Sequence, residues 1–497
     1  MTAPLTVVQI GNFGNIGDNV YRVHQPAAAL ACLPGVQVHE VHAQSRRCSA
    51  AALAADVLVV TMTLDIEVHR LIAQRRLLGK PTIAEVNDWL PDVHAWNPVA
   101  SSWADARGLH LFRQLMANAD SVQVTTEALA TRVAPFAKEV VVFANQLAQL
   151  PPPRPAANST APVVIGWGGS IGHRQDIAHI APMLCAWLQR HPKARLEVMG
   201  EPAVAGFFST ASPAQFTLRA PGALATYLAW LQTIDIGLAP LLPTDYNRCR
   251  SDVKFLEYAA SGAVPVLQAL DPYLAVRHGN TGFIFHTPDE LASLLDRLAA
   301  DAALRQQVAS NAYQHAASQR QLVQHIQNRL DFYCQQFAKA QHLHAGNLHQ
   351  LKAPAVFKAA LLAAGKQSLA ALPGWQTLSL THHRMDASSP AELRCAEGIE
   401  ALQAGQLDQA CTAFEQALRL DAKDARAMGW LGHCLLNQGR LALAQKALER
   451  ACALDPLASR PVRALARLHH SAATHYAQQA ALLNPLIRSV PVAEKRS

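Results

Sequence analysis

The sequence predicts an α/β protein with two domains built on parallel sheets, followed by an all-α domain of helical repeats. Short apolar runs alternate with helical stretches in residues 1–150, and the same alternation recurs in residues 163–338. A 34-residue periodicity in residues 389–490 predicts the repeats. Residues 339–388 between them are expected to form a helical linker.

The first domain is predicted to hold six strands, each followed by a polar turn or a helix. The second domain repeats this pattern with four recognisable strands. A proline-rich segment, 151–162, cannot continue a core strand or helix and is interpreted as an interdomain linker. Two βα domains joined in this way form a two-lobed cleft. The predicted strands are 5–10, 36–41, 56–62, 82–86, 121–125 and 140–143, then 163–165, 196–199, 234–238 and 264–267.

Two strand-to-helix turns in the second domain carry the residues most suited to ligand binding. Helix N-termini that follow parallel strands can face one crevice, which suits an anionic diphosphate. Ser251 is predicted to cap the second helix, with Asp252 at its first position. The candidate residues of the first turn are Gly168, Gly169, Ser170, His173 and Arg174, and those of the second are Arg250, Ser251, Lys254 and Glu257.

The run KFLEYAASGAVPV, 254–266, resembles the donor-site helix of retaining glycosyltransferases with the GT-B fold, in the group that contains glycogen synthases and bacterial lipopolysaccharide transferases. The resemblance covers roughly residues 1–335. It implies two Rossmann-like lobes, an N-terminal acceptor lobe and a C-terminal nucleotide-sugar donor lobe. It also implies that Glu257 binds the ribose hydroxyls of the nucleotide.

The chain departs from the family pattern at two places. Many members carry a glutamate eight positions before the ribose-binding one, where this chain has Cys249. An arginine and a lysine often hold the diphosphate in the first turn, near the positions of Trp167 and His173 here. Arg174, Arg250 and Lys254 are therefore the cations expected to replace them.

The function implied by the resemblance is hexosyl transfer, with retention, from a nucleoside-diphosphate sugar to a glycan, a lipid-linked or a protein acceptor. Arg250, Lys254 and the helix N-termini can stabilise the departing diphosphate, so neither a metal nor a cofactor is expected. The alternative is a catalytically degenerate transferase fold that acts as a scaffold through its repeats. Cys249 and the missing first-turn lysine favour this alternative, whereas Lys254, Glu257 and Gly262 count against it.

Two features of the first domain each allow two interpretations. The glycine-rich loop 11–18 includes Gly14, which either approaches the donor diphosphate or only shapes a turn. Asp88 follows a strand at the carboxyl edge of the sheet, where it either orients the acceptor hydroxyl or caps the next turn.

The segment Asp65-Ile66-Glu67 is a loose DxD motif, but acidic residues are expected at a helix N-terminus, so no metal site is predicted. The arginines that follow it, Arg70, Arg75 and Arg76, are expected to form a solvated face.

The repeat appears as five residues that recur 34 positions later, which is the tetratricopeptide period. Such an array binds a protein or peptide, or mediates self-association. We expect a separate stack of helices, with a brace packed on the lobes as the alternative. The pairs are Gly398 and Gly432, Gly405 and Gly439, Ala410 and Ala444, Ala417 and Ala451, and Asp421 and Asp455.

Composition limits the remaining possibilities. A net charge of +7, without a basic run with interleaved aromatics, argues against nucleic-acid binding. Nine scattered cysteines without a CxxC pair support neither a zinc site nor a disulfide framework. The N-terminus begins directly with a strand and no apolar run spans a bilayer, so a cytoplasmic protein with at most peripheral membrane contact is expected.

Overall fold

The computed structural model describes residues 4–11, 16–43, 45, 47–103, 105–154, 161–344, 346–369, 389–468 and 479–484. Its N-terminal lobe is a sheet of six parallel strands in the order β2-β1-β3-β4-β5-β6. All six strands predicted for this lobe are confirmed, with ends that differ by one residue at most. They are β1 (Leu5–Gly11), β2 (Val36–His42), β3 (Val57–Thr61), β4 (Thr82–Val86), β5 (Ser121–Val124) and β6 (Val140–Val142).

Helices cover both faces of this sheet, as crossover connections between parallel strands require. The first is interrupted by a π-helical turn, Val20–His24, between its two α segments. The helices are α1 (Ile16–Asn19), α2 (Gln25–Ala31), α3 (Cys48–Ala54), α4 (Ile66–Leu77), α5 (Ala100–Trp103), α6 (Ala106–Asn118) and α7 (Glu127–Val133).

The C-terminal lobe is a second parallel six-stranded sheet, in the order β12-β11-β10-β7-β8-β9. The four predicted strands are present, and the two edge strands β9 and β12 were not predicted because only three or four residues form each of them. The strands are β7 (Val164–Gly168), β8 (Arg195–Met199), β9 (Phe216–Arg219), β10 (Ile236–Ala239), β11 (Val264–Gln268) and β12 (Phe283–Phe285).

The helices of this lobe are α8 (Arg174–Arg190), α9 (Leu224–Leu231), α10 (Asp245–Arg248), α11 (Val253–Ser261), α12 (Pro288–Ala300) and α13 (Ala302–Gln319). The next helix, α14 (Leu322–His344), returns to the N-terminal lobe, where Leu322, Ile326 and Tyr333 pack in a core with residues of β1 and β3. After α15 (Asn347–Gln350), the helix α16 (Ala355–Lys366) buries Phe357 and Leu361 in the main core of the same lobe.

The repeat region consists of antiparallel helix pairs. Gly398 and Gly432 lie where the paired helices touch, because a Cβ at either would come within 2.7 Å of Phe414 or Leu448. Gly405 and Gly439 end the first helix of each pair with φ of 76° and 74°, which favours glycine. The helices are α17 (Pro390–Gln403), α18 (Leu407–Leu420), α19 (Ala425–Asn437), α20 (Leu441–Leu454) and α21 (Ser459–Leu468).

The expectation of a separate repeat stack is wrong, because the repeat region shares the main core of the N-terminal lobe. Leu457, Val462 and Leu483 are buried in that core. Arg70 donates to the carbonyl of Leu457 at 2.8 Å, and Ser459 donates to Glu67 at 2.7 Å. The array is therefore a brace on helix α4.

Helix α4 also corrects the expectation of a solvated arginine face. Arg70 and Arg75 are buried, and Arg75 donates to main-chain carbonyls of the loops around it, such as those of Ala55 and Pro81. Asp65 and Glu67 lie at the N-terminus of the helix, where acidic residues were expected, and Asp65 caps it by accepting from the amide of Glu67 at 2.9 Å. Among the described residues, no helix is both long and apolar enough to cross a membrane.

Candidate functional site

A cavity of about 350 Å³ lies between the two lobes, at the carboxyl ends of their strands. Its size falls in the usual range of ligand sites, about 300–1,000 Å³. Charged side chains from both lobes converge on it, among them Asp18, Asp88, Arg250, Lys254 and Glu257. A larger groove of about 1110 Å³ is lined by residues of the C-terminal lobe alone, and it shares Tyr273 with the interlobe cavity. The convergence of charge makes the interlobe cavity the candidate site.

The turn after β7 approaches the cavity with almost no side chain. A Cβ at Gly169 would lie 2.4 Å from the ring of Trp167, and its amide donates to the carbonyl of Met199 at 3.1 Å. Ser170 follows. Gly172 packs against Asn97 of the N-terminal lobe, because a Cβ at Gly172 would lie 3.0 Å from the side-chain nitrogen Nδ2 of Asn97. Bare backbone at this turn lets a ligand, or the opposite lobe, come close.

A chain of hydrogen bonds crosses the cavity from one lobe to the other. Arg250 donates to Asp88 at 3.1 Å through Nη1 and contacts Nε2 of His173 at 3.1 Å through Nη2. On its other side, His173 Nδ1 lies 2.9 Å from buried Asp176. Asp88 belongs to the loop after β4, so Arg250 joins the two lobes directly.

Burial sets the charge states along this chain. Burial raises the pKa of Asp88 to about 6, against the opposing effect of Arg250. Burial and the neighbouring Arg250 lower the pKa of His173, which favours a neutral imidazole. That imidazole donates from Nδ1 to Asp176 and accepts from Arg250 at Nε2. The cavity thus holds a cation whose partners are one titrating carboxyl and one neutral ring.

Glu257 points into the cavity from helix α11 and accepts three hydrogen bonds. Tyr21 of the N-terminal lobe donates to Oε1 at 3.1 Å, and Tyr227 donates to Oε2 at 2.8 Å. Lys254 donates to the same Oε2 at 3.1 Å and to the Tyr227 hydroxyl at 2.6 Å. Because Oε2 already has two donors, only Oε1 can exchange a partner without dismantling this cluster.

The N-terminal end of helix α11 differs in one detail from the prediction. The helix begins at Val253 with Asp252 as its N-cap residue, so Ser251 does not cap it. Asp252 instead forms an ion pair with Arg320 at 2.6 Å. Ser251 still lines the cavity and accepts from Asn145 at 3.0 Å.

Most of the predicted site residues meet in the cavity. Asp88, Gly169, Ser170, His173, Arg250, Ser251, Lys254 and Glu257 all line it. Gly168 instead ends β7 and packs against Tyr227, and Arg174 begins α8 without lining the cavity. Gly14 lies outside the described residues.

Tyr21 and Tyr227 were missed by sequence reasoning. Each contacts Glu257 only through tertiary structure, because they lie 236 and 30 residues from it in the chain. The available signal for Tyr21 was its place after the glycine-rich loop of β1. Its neighbour Arg22 is buried in a salt bridge with Glu85 at 2.8 Å and supports the lobe.

Cys249, which replaces the glutamate common in the resembled family, does not line the cavity. It is buried, in the same core cluster as residues of the N-terminal lobe, and burial raises its pKa to about 11. Nothing at this position supplies a carboxylate. Within the described part of the chain, no cluster of three His, Cys, Asp or Glu side chains is arranged to hold a metal ion.

Comparisons with known proteins agree with this architecture. Residues 174–334 match a family described as glycosyl transferase-like, and residues 395–459 match the tetratricopeptide repeat family. Sucrose-phosphate synthase from Thermosynechococcus elongatus shares the fold, with a TM-score of 0.52, 14% identity and coverage of 67% of this chain and 100% of that one.

The curated relatives match only a short part of the chain. Cellulose synthase operon protein C is 40% identical over 79 residues in Komagataeibacter xylinus and 35% identical over 80 residues in Escherichia coli K12. These matches cover 15% and 16% of this chain and only 6% and 7% of the relatives' own length. The chain therefore combines the two-lobed GT-B fold, with a glycosyl transferase-like domain in its second lobe, and tetratricopeptide repeats.

Proposed function

We propose that the protein is a glycosyltransferase that moves a hexosyl group from a nucleoside-diphosphate sugar to a glycan, lipid-linked or protein acceptor. The observation that carries this proposal is the convergence of Arg250 and Lys254 with the N-terminus of helix α11 in one interlobe cavity. Two cations and a helix N-terminus provide the positive potential that a diphosphate needs.

The diphosphate is placed against the turn after β7 and the start of α11. Arg250 has donors to spare, because Nη2 is bonded only to a neutral imidazole and Nε has no acceptor among the described residues. The absence of a side chain at Gly169 leaves room for phosphate oxygens to approach this turn. Glu257 then accepts from the ribose hydroxyls at Oε1, after Tyr21 has left that oxygen.

The transfer step needs positive groups beside the diphosphate, because negative charge develops on the diphosphate as the sugar–phosphate bond breaks. Arg250 and Lys254 stabilise the negative charge that develops on the leaving diphosphate, so we propose turnover without a metal. Retention follows if the leaving phosphate accepts the proton of the acceptor hydroxyl on the face it departs from. Asp88, at the opposite lobe, orients that hydroxyl.

The second candidate is a scaffold with a degenerate transferase fold. It is favoured by Cys249, which is buried away from the cavity, and by Trp167 and His173 at the first turn, where the family often has an arginine and a lysine. Under this hypothesis Tyr21 would close the site permanently by holding Oε1 of Glu257.

A turnover screen separates the two candidates. The purified chain is incubated with nucleoside-diphosphate sugars of all common bases, with water as the acceptor. Release of the nucleoside diphosphate by hydrolysis is measured with and without chelator. The enzyme hypothesis expects release with at least one donor, at a rate that chelator leaves unchanged. No release from any donor, together with no thermal stabilisation by any nucleotide, would support the scaffold.

A further inference from the structure

A row of arginines lies on the innermost described repeat helix, outside the interlobe cavity. Arg460, Arg463 and Arg467 are spaced three and four residues apart on α21, so they share one face of the helix. Helix α19 packs beside α21 and adds Trp430 and His433. Arg107, at the start of α6 in the N-terminal lobe, completes the group. We call these six residues the basic seam.

The seam has few acidic partners. Arg460 lies over the ring of Trp430 at 3.8 Å and reaches Asp65 only at 3.7 Å. Glu67, the other nearby acid, is already bonded to Arg70 at 2.9 Å and to Ser459 at 2.7 Å. Among the described residues, the guanidinium groups of Arg107, Arg463 and Arg467 form no hydrogen bond and no ion pair.

The electrostatic effects within the seam agree with this excess of positive charge. Burial, together with Arg467, Arg460 and Arg463, lowers the pKa of His433. Burial also lowers the pKa of Arg463. Glu67 raises that pKa, whereas Arg460, Arg467 and Arg107 lower it further, and the net change is a decrease. Positive groups that repel one another without a neutralising partner are typical of a surface that binds an anion.

We propose that the basic seam binds an extended, acidic peptide segment of a protein partner. The row from Arg460 to Arg467 rises about 10 Å along the helix, at about 1.5 Å per residue. That length corresponds to about three residues of extended chain, so two acidic side chains at alternate positions, about 7 Å apart, can each meet an arginine of the row. Guanidinium groups pair well with carboxylates through two parallel hydrogen bonds.

The surroundings of the seam favour a peptide over a flat anionic surface. Beside Arg460, a cavity of about 270 Å³ lies between the repeats and the N-terminal lobe, and both carboxylates and cations line it. The seam therefore borders a concave site between two domains, which suits a narrow chain better than a membrane surface. Helix α6, which carries Arg107, follows the loop with Asn97 and Val99, and these two residues line the interlobe cavity.

This placement gives the seam a role in the proposed function: a protein acceptor held there would lead toward the acceptor side of the cleft. That role rests on the proposed transferase activity, whereas peptide binding does not. A binding experiment on the full chain therefore tests the seam separately from the turnover screen. If the turnover screen fails, the proposal of peptide binding at the seam still stands. If the peptide does not bind, the proposal of a donor site still stands.

The test uses fluorescence anisotropy with a labelled ten-residue peptide of alternating glutamate and serine, and with its glutamine analogue. The variant R107E/R467E changes two exposed side chains in different domains, so the fold is retained. The matched control R419E/R450E reverses the same amount of charge at exposed positions of α18 and α20. We expect the seam variant to bind the acidic peptide at least about 10-fold more weakly, and the control to stay within about 2-fold of wild type.

Several outcomes would overturn the proposal. Equal losses in both double variants would mean diffuse attraction by net charge. Equal binding of the glutamine peptide would remove charge as the basis of recognition. A sulfated oligosaccharide of matched charge that binds 10-fold more tightly than the peptide would assign the seam to anionic glycans instead.

Discussion

Tyr21 in the N-terminal lobe donates a hydrogen bond of 3.1 Å to Glu257 in the C-terminal lobe. The tyrosine lies in a π-helical turn that directly follows the first α segment of the chain, and π-turns often occur at functional sites. Burial and Glu257 raise the pKa of Tyr21, so the phenol remains a donor throughout the physiological range. The bond occupies the one carboxylate oxygen that is free of Lys254 and Tyr227. Tyr21 therefore competes directly with any ribose that Glu257 binds.

The first prediction is that Tyr21→Phe tightens nucleotide binding. The variant removes the competing donor and leaves Oε1 of Glu257 with an unmet acceptor, so the nucleoside diphosphate should bind about 2- to 10-fold more tightly, equal to about 0.5–1.5 kcal/mol. Calorimetric titration measures this change. Tyr313→Phe is the control, because Tyr313 donates to Pro151 away from the cavity. Weaker binding by a Tyr21→Phe variant of unchanged thermal stability would contradict the competition.

The second prediction concerns pH. Because burial raises the pKa of Asp88 to about 6, its carboxyl gains a proton as the pH falls through 6 and loses the negative charge that holds the acceptor hydroxyl. Turnover should decline about 10-fold per pH unit below that point. Burial and Arg250 lower the pKa of His173, so we assign this decline to Asp88, and the Asp88→Asn variant tests that assignment. The Asp88→Asn variant should turn over slowly, and its rate should show no such decline below pH 6. If the decline persists unchanged in Asp88→Asn, another group causes it.

The third prediction separates Arg250 from its neighbours. Arg250→Gln should lower kcat about 10²-fold, because the guanidinium stabilises charge that develops only as the diphosphate leaves. The KM for the acceptor should change by less than about 2-fold. Arg248→Gln is the matched control, since Arg248 lies outside the cavity and pairs with Asp271 at 2.7 Å. If Arg250→Gln and Arg248→Gln lower turnover equally, Arg250 does not specifically stabilise the charge on the leaving diphosphate.

The fourth prediction follows from the shared core of repeats and N-terminal lobe. Removing residues 389–497 would expose the apolar surface that Leu457, Val462 and Leu483 cover. We expect the truncated chain to aggregate or to unfold at a Tm at least about 5 °C lower. Size-exclusion chromatography and thermal unfolding measure both. A monodisperse truncation with an unchanged Tm would show that the repeats are independent after all.

Sequence reasoning succeeded where local pattern determines structure. Both sheets were predicted because buried parallel strands form continuous apolar runs, as in β3, whose first four residues are apolar and buried. The turns at Gly405 and Gly439 were predicted from their period, and each adopts the positive φ that the turn needs. Eight of the predicted site residues meet in one cavity because they follow parallel strands, whose carboxyl ends share an edge.

Three of the differences involve partners distant in the chain. Arg70 was expected in solvent, but it binds the carbonyl of Leu457, which lies 387 residues away. The phenol of Tyr21 reaches Glu257 across 236 residues, and no local spacing encodes that contact. Ser251 was expected to cap α11, but Asp252 is the N-cap residue, and its carboxylate pairs with Arg320, 68 residues away. Local sequence patterns do not encode long-range polar contacts of this kind.

The central claim is that the interlobe cavity binds a nucleotide through Glu257. Calorimetric titration of the wild type and of Glu257→Ala with nucleoside diphosphates of every common base tests it most directly. The exposed Glu290→Ala serves as the control. We predict that at least one nucleoside diphosphate binds the wild type and the control with equal affinity. Glu257→Ala should bind that nucleotide more weakly by about 1.5–3 kcal/mol. A folded Glu257→Ala variant with unchanged affinity, or a wild type that binds no nucleotide, would contradict the account.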